Sequence, residues 1–113
     1  TRRTEPLYGP PGTLYVYLCY GMHWMLNIVT GEAEQPQAVL IRACDGANGP
    51  GRLTKALAIT GELNRMPLSD DSAPLWLEDD GIPCSHITAP RVGIGYASPE
   101  DQRREWRFII VLR

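Results

Sequence analysis

Two tyrosines two residues apart, Tyr15 and Tyr17, and the run Tyr20-Gly21-Met22-His23 are the residues best suited to chemistry on a flat, stacked ring. An aromatic face holds a planar base by stacking, which is worth roughly 1–3 kcal/mol per base. An electron-rich ring holds a positively charged purine better than a neutral one, by cation–π attraction. Large side chains on a protruding turn can fill the gap a nucleotide leaves in a duplex, offsetting its lost stacking and pairing. Each feature also has a plainer reading. Paired strand tyrosines form core or cross-strand ladders, and Tyr20 and Met22 can fold back onto a core.

Metal chemistry has little to build on. Cys19, Cys44 and Cys84 are odd in number and far apart, with no C-x-x-C pair. Neither His23 nor His86 stands at ligand spacing from a cysteine, so no zinc site is expected and the thiols read as buried and reduced.

The elements that must position these residues follow from alternation. Pro10-Pro11-Gly12 closes an irregular N-terminal arm. Residues 13–30 read as two strands around Tyr20-Gly21. On the first, Leu14, Val16 and Leu18 alternate with Tyr15, Tyr17 and Cys19, so the tyrosines share a face. On the second, Trp24, Leu26 and Ile28 alternate with His23, Met25 and Asn27. A polar connection, 31–37, leads to a third strand over 38–43. Several of these strands are apolar on both faces, which suits a central sheet covered on each side. Residues 45–49 are turn material, and 50–59 read as a short helix. Asn48 or a neighbour caps it, Pro50 suits its first turn and Gly61 its end. Its apolar stripe is Leu53, Ala56 and Leu57, with Arg52 and Lys55 outside. Further strands are expected over 74–78, 91–96 and 106–112.

A chain of 113 residues suits one domain with a modest core, and its composition is that of an ordinary globular protein. The net charge of −2 argues against a protein that coats nucleic acid by bulk attraction. Acids collect at Asp70-Asp71 and Glu78-Asp79-Asp80; bases form separate groups at Arg2-Arg3, Arg52/Lys55 and Arg103-Arg104/Arg107. No apolar run approaches the roughly 20 residues of a membrane helix, and residues 1–6 lack the apolar core of a signal peptide. The expectation is an intracellular protein, cytoplasmic in a bacterium and nuclear in a eukaryote.

The segment Gly9-Pro-Pro-Gly-Thr-Leu-Tyr-Val-Tyr-Leu-Cys-Tyr-Gly-Met-His-Trp-Met-Leu-Asn27 resembles the signature hairpin of the alkyladenine (3-methyladenine) DNA glycosylases. Ala38-Val-Leu-Ile-Arg-Ala43, Asn48-Gly-Pro-Gly-Arg-Leu-Thr-Lys-Ala-Leu57, Leu75-Trp-Leu-Glu78, Arg91-Val-Gly-Ile-Gly-Tyr-Ala97 and Trp106-Arg-Phe108 follow in that family's order. The resemblance covers nearly the whole chain. It implies an α+β fold, one compact domain over 1–113 with a curved, mostly antiparallel sheet, short flanking helices and a protruding β-hairpin.

It also implies roles. Tyr20 enters the minor groove in place of a flipped nucleotide, with Met22 and His23 beside it. Tyr17 stacks on the flipped base, Tyr15 lies near the same pocket, and Asn27 opposes the exocyclic amine of normal guanine. Arg42 and the backbone carbonyl of Val92 position the attacking water. Gly51, Arg52 and Lys55 contact the DNA backbone.

The activity so implied is monofunctional excision of alkylated or deaminated purines (3-methyladenine, 7-methylguanine, hypoxanthine) from double-stranded DNA. An activated water hydrolyses the N-glycosidic bond and initiates base excision repair. No lysine sits in a nucleophile motif, so strand cleavage through a Schiff base is not expected. No metal, organic cofactor or membrane is implied, and the form expected is a monomer.

Two departures stand out. The family's water-activating glutamate, a pocket tyrosine and a pocket histidine precede the Gly-Pro-Pro-Gly segment, whereas here eight residues do, and Glu5 is not in that glutamate's motif. Family members also carry a longer stretch where Cys44-Asp45-Gly46-Ala47 joins strand to helix. The expectation is a domain incomplete at its N-terminus and short of an internal segment near 45–48, inactive by itself. Two other readings stay open: a non-catalytic binder of damaged or distorted DNA using the same wedge and pocket, and an aromatic pocket for a small ligand.

Overall fold

The alternation over 13–30 becomes an antiparallel hairpin of β1 (Leu14–Cys19) and β2 (His23–Val29), in register from Leu14↔Ile28 to Cys19↔His23. The computed structural model describes residues 4–32, 34–68, 74–79 and 81–111. Arg2-Arg3, Asp70-Asp71, Asp80 and Leu112 lie outside the described residues. The third strand, β3 (Ala38–Leu40), pairs with the far end of β2 at Asn27↔Leu40 to Val29↔Ala38. The chain then turns through the short pair β4 (Ala43–Cys44) and β5 (Ala47–Asn48) into helix α1 (Pro50–Ala56). Among the described residues every strand pair is antiparallel and the helices are short, so the fold is α+β as expected. The ladders among them fall into three sheets, β1-β2-β3, β4-β5 and one further pair near the C-terminus.

The chain divides into two compact units, one ending at Leu77 and the other starting at Glu78. The core of the first is Leu14, Val16, Leu26, Ala47, Leu53 and Ile59, flanked by Trp24, Ile28 and Ile41. Burying each large aliphatic side chain contributes roughly 1.5–3 kcal/mol. The opposite face of the hairpin is also covered at its base, where Tyr15, Asn27 and Val29 are buried. An exposed sheet edge would leave its backbone groups unpaired. Here Asn64 Oδ1 accepts from the Val16 N–H at 2.9 Å, and Thr54 Oγ1 donates to the Trp24 carbonyl at 2.9 Å. That second bond fastens α1 to β2 beyond the end of β3.

Helix α1 starts as expected, with Gly49, the neighbour of Asn48, at its N-cap, though without a side-chain cap, while Asn48 itself pairs with Ala43 in β5. It differs from its sequence reading in two ways. The buried face is Leu53 and Thr54; Ala56 and Leu57 are exposed, because the Thr54 hydroxyl turns that face toward β2. The helix also ends before Gly61. Ala58 adopts φ 55°, its N–H donates to Lys55 O, and Ile59 N–H donates to Thr54 O. These bonds form a Schellman end with alanine where glycine is favoured. Ala58→Gly is therefore expected to raise stability by roughly 0.5–1 kcal/mol, read as a higher melting temperature.

In the second unit β6 (Ser85–Ala89) pairs with β7 (Arg107–Val111) from Ser85↔Val111 to Ala89↔Arg107. Helix α2 (Pro99–Arg103) is capped by Ser98, whose hydroxyl accepts from Asp101 N–H. The strands expected over 74–78 and 91–96 do not form. Gly93, at φ 75°, interrupts the second of these. β6 had no sequence signal, since Ser-His-Ile-Thr-Ala offers one large aliphatic residue and no alternation. The N-terminal arm contains a 3-10 turn, Glu5–Tyr8. The thiols also differ from expectation: Cys44 and Cys84 are exposed and Cys19 is half-buried, all three free. Strands of two residues leave little interior in which to bury Cys44.

Candidate base pocket and nucleic-acid interface

The hairpin register puts Tyr15 opposite Asn27, Tyr17 opposite Met25 and Cys19 opposite His23, so all six project from one face. Tyr15 is buried and Tyr17 half-buried, with ring centroids 5.0 Å apart and planes inclined by 35°. Tyr17 is thus the outer ring of a tilted pair. Asn27 is 8% exposed, and its Nδ2 donates to the Tyr15 carbonyl at 3.3 Å. Its amide nitrogen is thus that of a strand asparagine hydrogen-bonded to its neighbour across the ladder. That bond also fixes the amide in place beside the tyrosines.

At the hairpin tip Met22 N–H donates to Cys19 O at 3.0 Å, and the two central residues, Tyr20 and Gly21, have φ of 51° and 66°. Positive φ at both positions is the pattern of a type I′ turn, which favours Asn-Gly. A tyrosine in this region is strained, since the left-handed conformation costs about 1–2 kcal/mol. Folding returns nothing to that side chain, which is 94% exposed, and Met22 is 73% exposed. The reading in which Tyr20 and Met22 turn back onto the core is excluded. His23 is exposed too.

The tip stands beside α1. A Cβ built on Gly51 would lie 3.0 Å from His23 Cγ and Nδ1, so the imidazole rests against the first turn of the helix. Arg52 and Lys55 are exposed, and no ion pair among the described residues holds them. The structure therefore groups Tyr15, Tyr17 and Asn27 on one hairpin face, and Tyr20, Met22 and His23 at the tip beside Gly51. Arg42 is half-buried, two residues past the Asn27↔Leu40 rung, and its carbonyl accepts from Gly49 N–H at 2.9 Å. Val92 is exposed in the second unit. Glu5 is exposed and pairs with Arg65 at 3.6 Å.

Sequence reasoning missed Thr54 and the rings that the glycines admit. A buried threonine in a two-turn helix gives no pattern of its own. Among the described residues no group of three or more His, Cys, Asp or Glu is placed to hold a metal ion. No helix among them is long and apolar enough to cross a membrane.

A family model for methylpurine-DNA glycosylase matches residues 1–46 and 45–112, two stretches that meet at the Asp45-Gly46 turn. A putative 3-methyladenine DNA glycosylase of Nitrosococcus oceani is 43% identical over 97% of this chain and 64% of its own length. A DNA-3-methyladenine glycosylase of Arabidopsis thaliana is 39% identical over 97% of this chain and 51% of its own. A putative 3-methyladenine DNA glycosylase of Borrelia garinii is 36% identical over 97% of this chain and 65% of its own. The chain thus spans between about half and two thirds of the length of these curated relatives. The Nitrosococcus alignment runs over 131 positions, more than the 113 residues present, so that relative carries residues this chain lacks within the matched region. With a family model matching both units in order, and relatives above 30% identity across nearly its whole length, the chain belongs to the methylpurine-DNA glycosylase family.

Proposed function

We propose that this chain is the wedge-and-pocket part of a DNA repair glycosylase that extrudes alkylated or deaminated purines and hydrolyses their N-glycosidic bond. The observation that carries the reading is Tyr20, a fully presented aromatic side chain held in a strained turn. Strain of this kind persists where function uses it. Tyr20 fills the vacated stack, flanked by Met22 and His23, while Tyr17, backed by Tyr15, stacks on the extruded base. Arg52 and Lys55, next to the tip, contact phosphates together with the Gly51 backbone. The partner is double-stranded DNA carrying a damaged purine, and the two units work as one glycosylase domain, as a monomer.

In the reaction, water attacks the anomeric carbon and the base leaves, giving an abasic site. The Arg42 guanidinium, in no ion pair among the described residues, positions that water. The general base lies in the part of the fold that the relatives have and these residues do not include. Glu5 is a poor substitute, since it is exposed and already paired with Arg65. The work belongs inside the cell, in the cytoplasm of a bacterium or the nucleus of a eukaryote.

Asn27 tests the pocket. Its amide, held by the Tyr15 carbonyl, cannot swing aside, so the 2-amino group of guanine meets a fixed obstacle. In the protein extended by the family's upstream segment, Asn27→Ala is expected to raise guanine excision relative to hypoxanthine by about ten- to a hundredfold. Asn27→Ala also removes that side-chain hydrogen bond, so stability falls by about 1 kcal/mol as well. Single-turnover excision of both bases checks this. Equal slowing of both would make Asn27 purely structural.

A further inference from the structure

We infer that Gly51 is a positioning residue for the hairpin tip: its missing side chain makes the notch that seats the His23 ring and so aims Tyr20. The inference rests on the proposed reading of Tyr20 as the DNA wedge and adds how that wedge is held. Two consecutive residues of β2 place a ring against a glycine. A Cβ on Gly51 would lie 3.0 Å from His23 Cγ and Nδ1 and 3.2 Å from its Cβ. A Cβ on Gly61 would lie 2.8 Å from the Trp24 indole. Between these contacts the Trp24 carbonyl accepts from Thr54 Oγ1, so the stem of the hairpin is gripped through His23 and Trp24 alike. Neither glycine has positive φ, so backbone conformation does not require either of them; the space does.

The consequence falls at the tip. His23 forms the last rung, with Cys19, and the turn carrying Tyr20 springs directly from it. The clash with a Cβ at Gly51 includes the His23 Cβ, which a ring rotation cannot move. Relief must therefore shift the rung by some tenths of an ångström, and the wedge with it. The helix start carrying Arg52 moves against the tip at the same time, so the spacing between wedge and phosphate contact changes. Misplacement of a recognition group by about an ångström is enough to lose up to a hundredfold.

A double-mutant cycle tests this in the intact protein. Gly51→Ala should weaken binding to a duplex carrying a tetrahydrofuran abasic analogue by about fivefold or more. It should also shift the His23 imidazole resonances of the free protein. His23→Ala lowers affinity by itself, but in that background Gly51→Ala should change affinity by less than about twofold, because the ring it displaces is gone. Alanine is the better helix former, so an open notch would make Gly51→Ala simply stabilising. An equal loss in both backgrounds would mean that the change acts through the phosphate contact of the Gly51 backbone alone and not through the His23 ring, and would overturn the inference. Unmoved imidazole resonances would overturn it as well. Tyr20→Ala separates the two levels: if it leaves affinity unchanged, the wedge reading has failed, whatever the imidazole resonances show.

Discussion

Tyr20→Asn is expected to make the protein more stable and worse at holding damaged DNA. Tyr20 and Gly21 both have positive φ, and Asn-Gly is the pair such a turn favours. Asparagine tolerates the left-handed region, and no core packing is lost, since the tyrosine side chain is 94% exposed. The gain is about 0.5–1 kcal/mol, a rise of a few degrees in melting temperature. The loss is the wedge. An aromatic ring stacked in the vacated position is worth roughly 1–3 kcal/mol, so affinity for an abasic-analogue duplex should fall about tenfold or more. Tyr20→Ala should lose the same affinity with little change in stability, because alanine keeps a Cβ in the strained region. Melting curves and gel shifts at one fixed salt concentration read both effects; salt must be matched because phosphate contacts weaken steeply with it. A less stable Tyr20→Asn protein with unaltered affinity would remove Tyr20 from the interface.

The hairpin was legible because its signal is local and repeated. Strict alternation over 14–19 and 23–29 puts Tyr15 with Tyr17 on one face of the first strand and Asn27 with His23 and Met25 on one face of the second, and the register brings the two faces together. The turn was legible only in part: Tyr-Gly marks a bend, but nothing in the residue types says that Tyr20 stands free and strained. The end of α1 was misread because the left-handed residue is Ala58, while the expected Gly61 opens a 3-10 turn and makes room for Trp24. β6 was missed since its residues carry no period; only the ladder with β7 makes it a strand. The Gly51–His23 and Thr54–Trp24 contacts join residues 28 and 30 positions apart, and no local pattern encodes either.

The second large effect concerns catalysis. A positioned general base contributes typically about 10²–10⁴-fold to such a hydrolysis. The residues present offer a tilted tyrosine pair, an exposed aromatic tip and an arginine, but their one acid in the N-terminal arm, Glu5, is tied to Arg65 in solvent. Stacking and wedging hold a base outside the duplex; they do not deprotonate water. Residues 1–113 alone should therefore bind poorly and excise hypoxanthine at least about a hundredfold more slowly than a protein extended by the family's upstream segment. A Glu-x-Glu-x-Tyr-like motif in that segment would supply the base.

The most direct measurement is single-turnover release of hypoxanthine from one duplex by both proteins, side by side. Release by the extended protein and almost none by residues 1–113 is the expected result. Equal release by the shorter chain would place the base within these residues, with Glu5 the first to replace. No release by either would contradict the enzyme and leave a non-catalytic binder of damaged DNA.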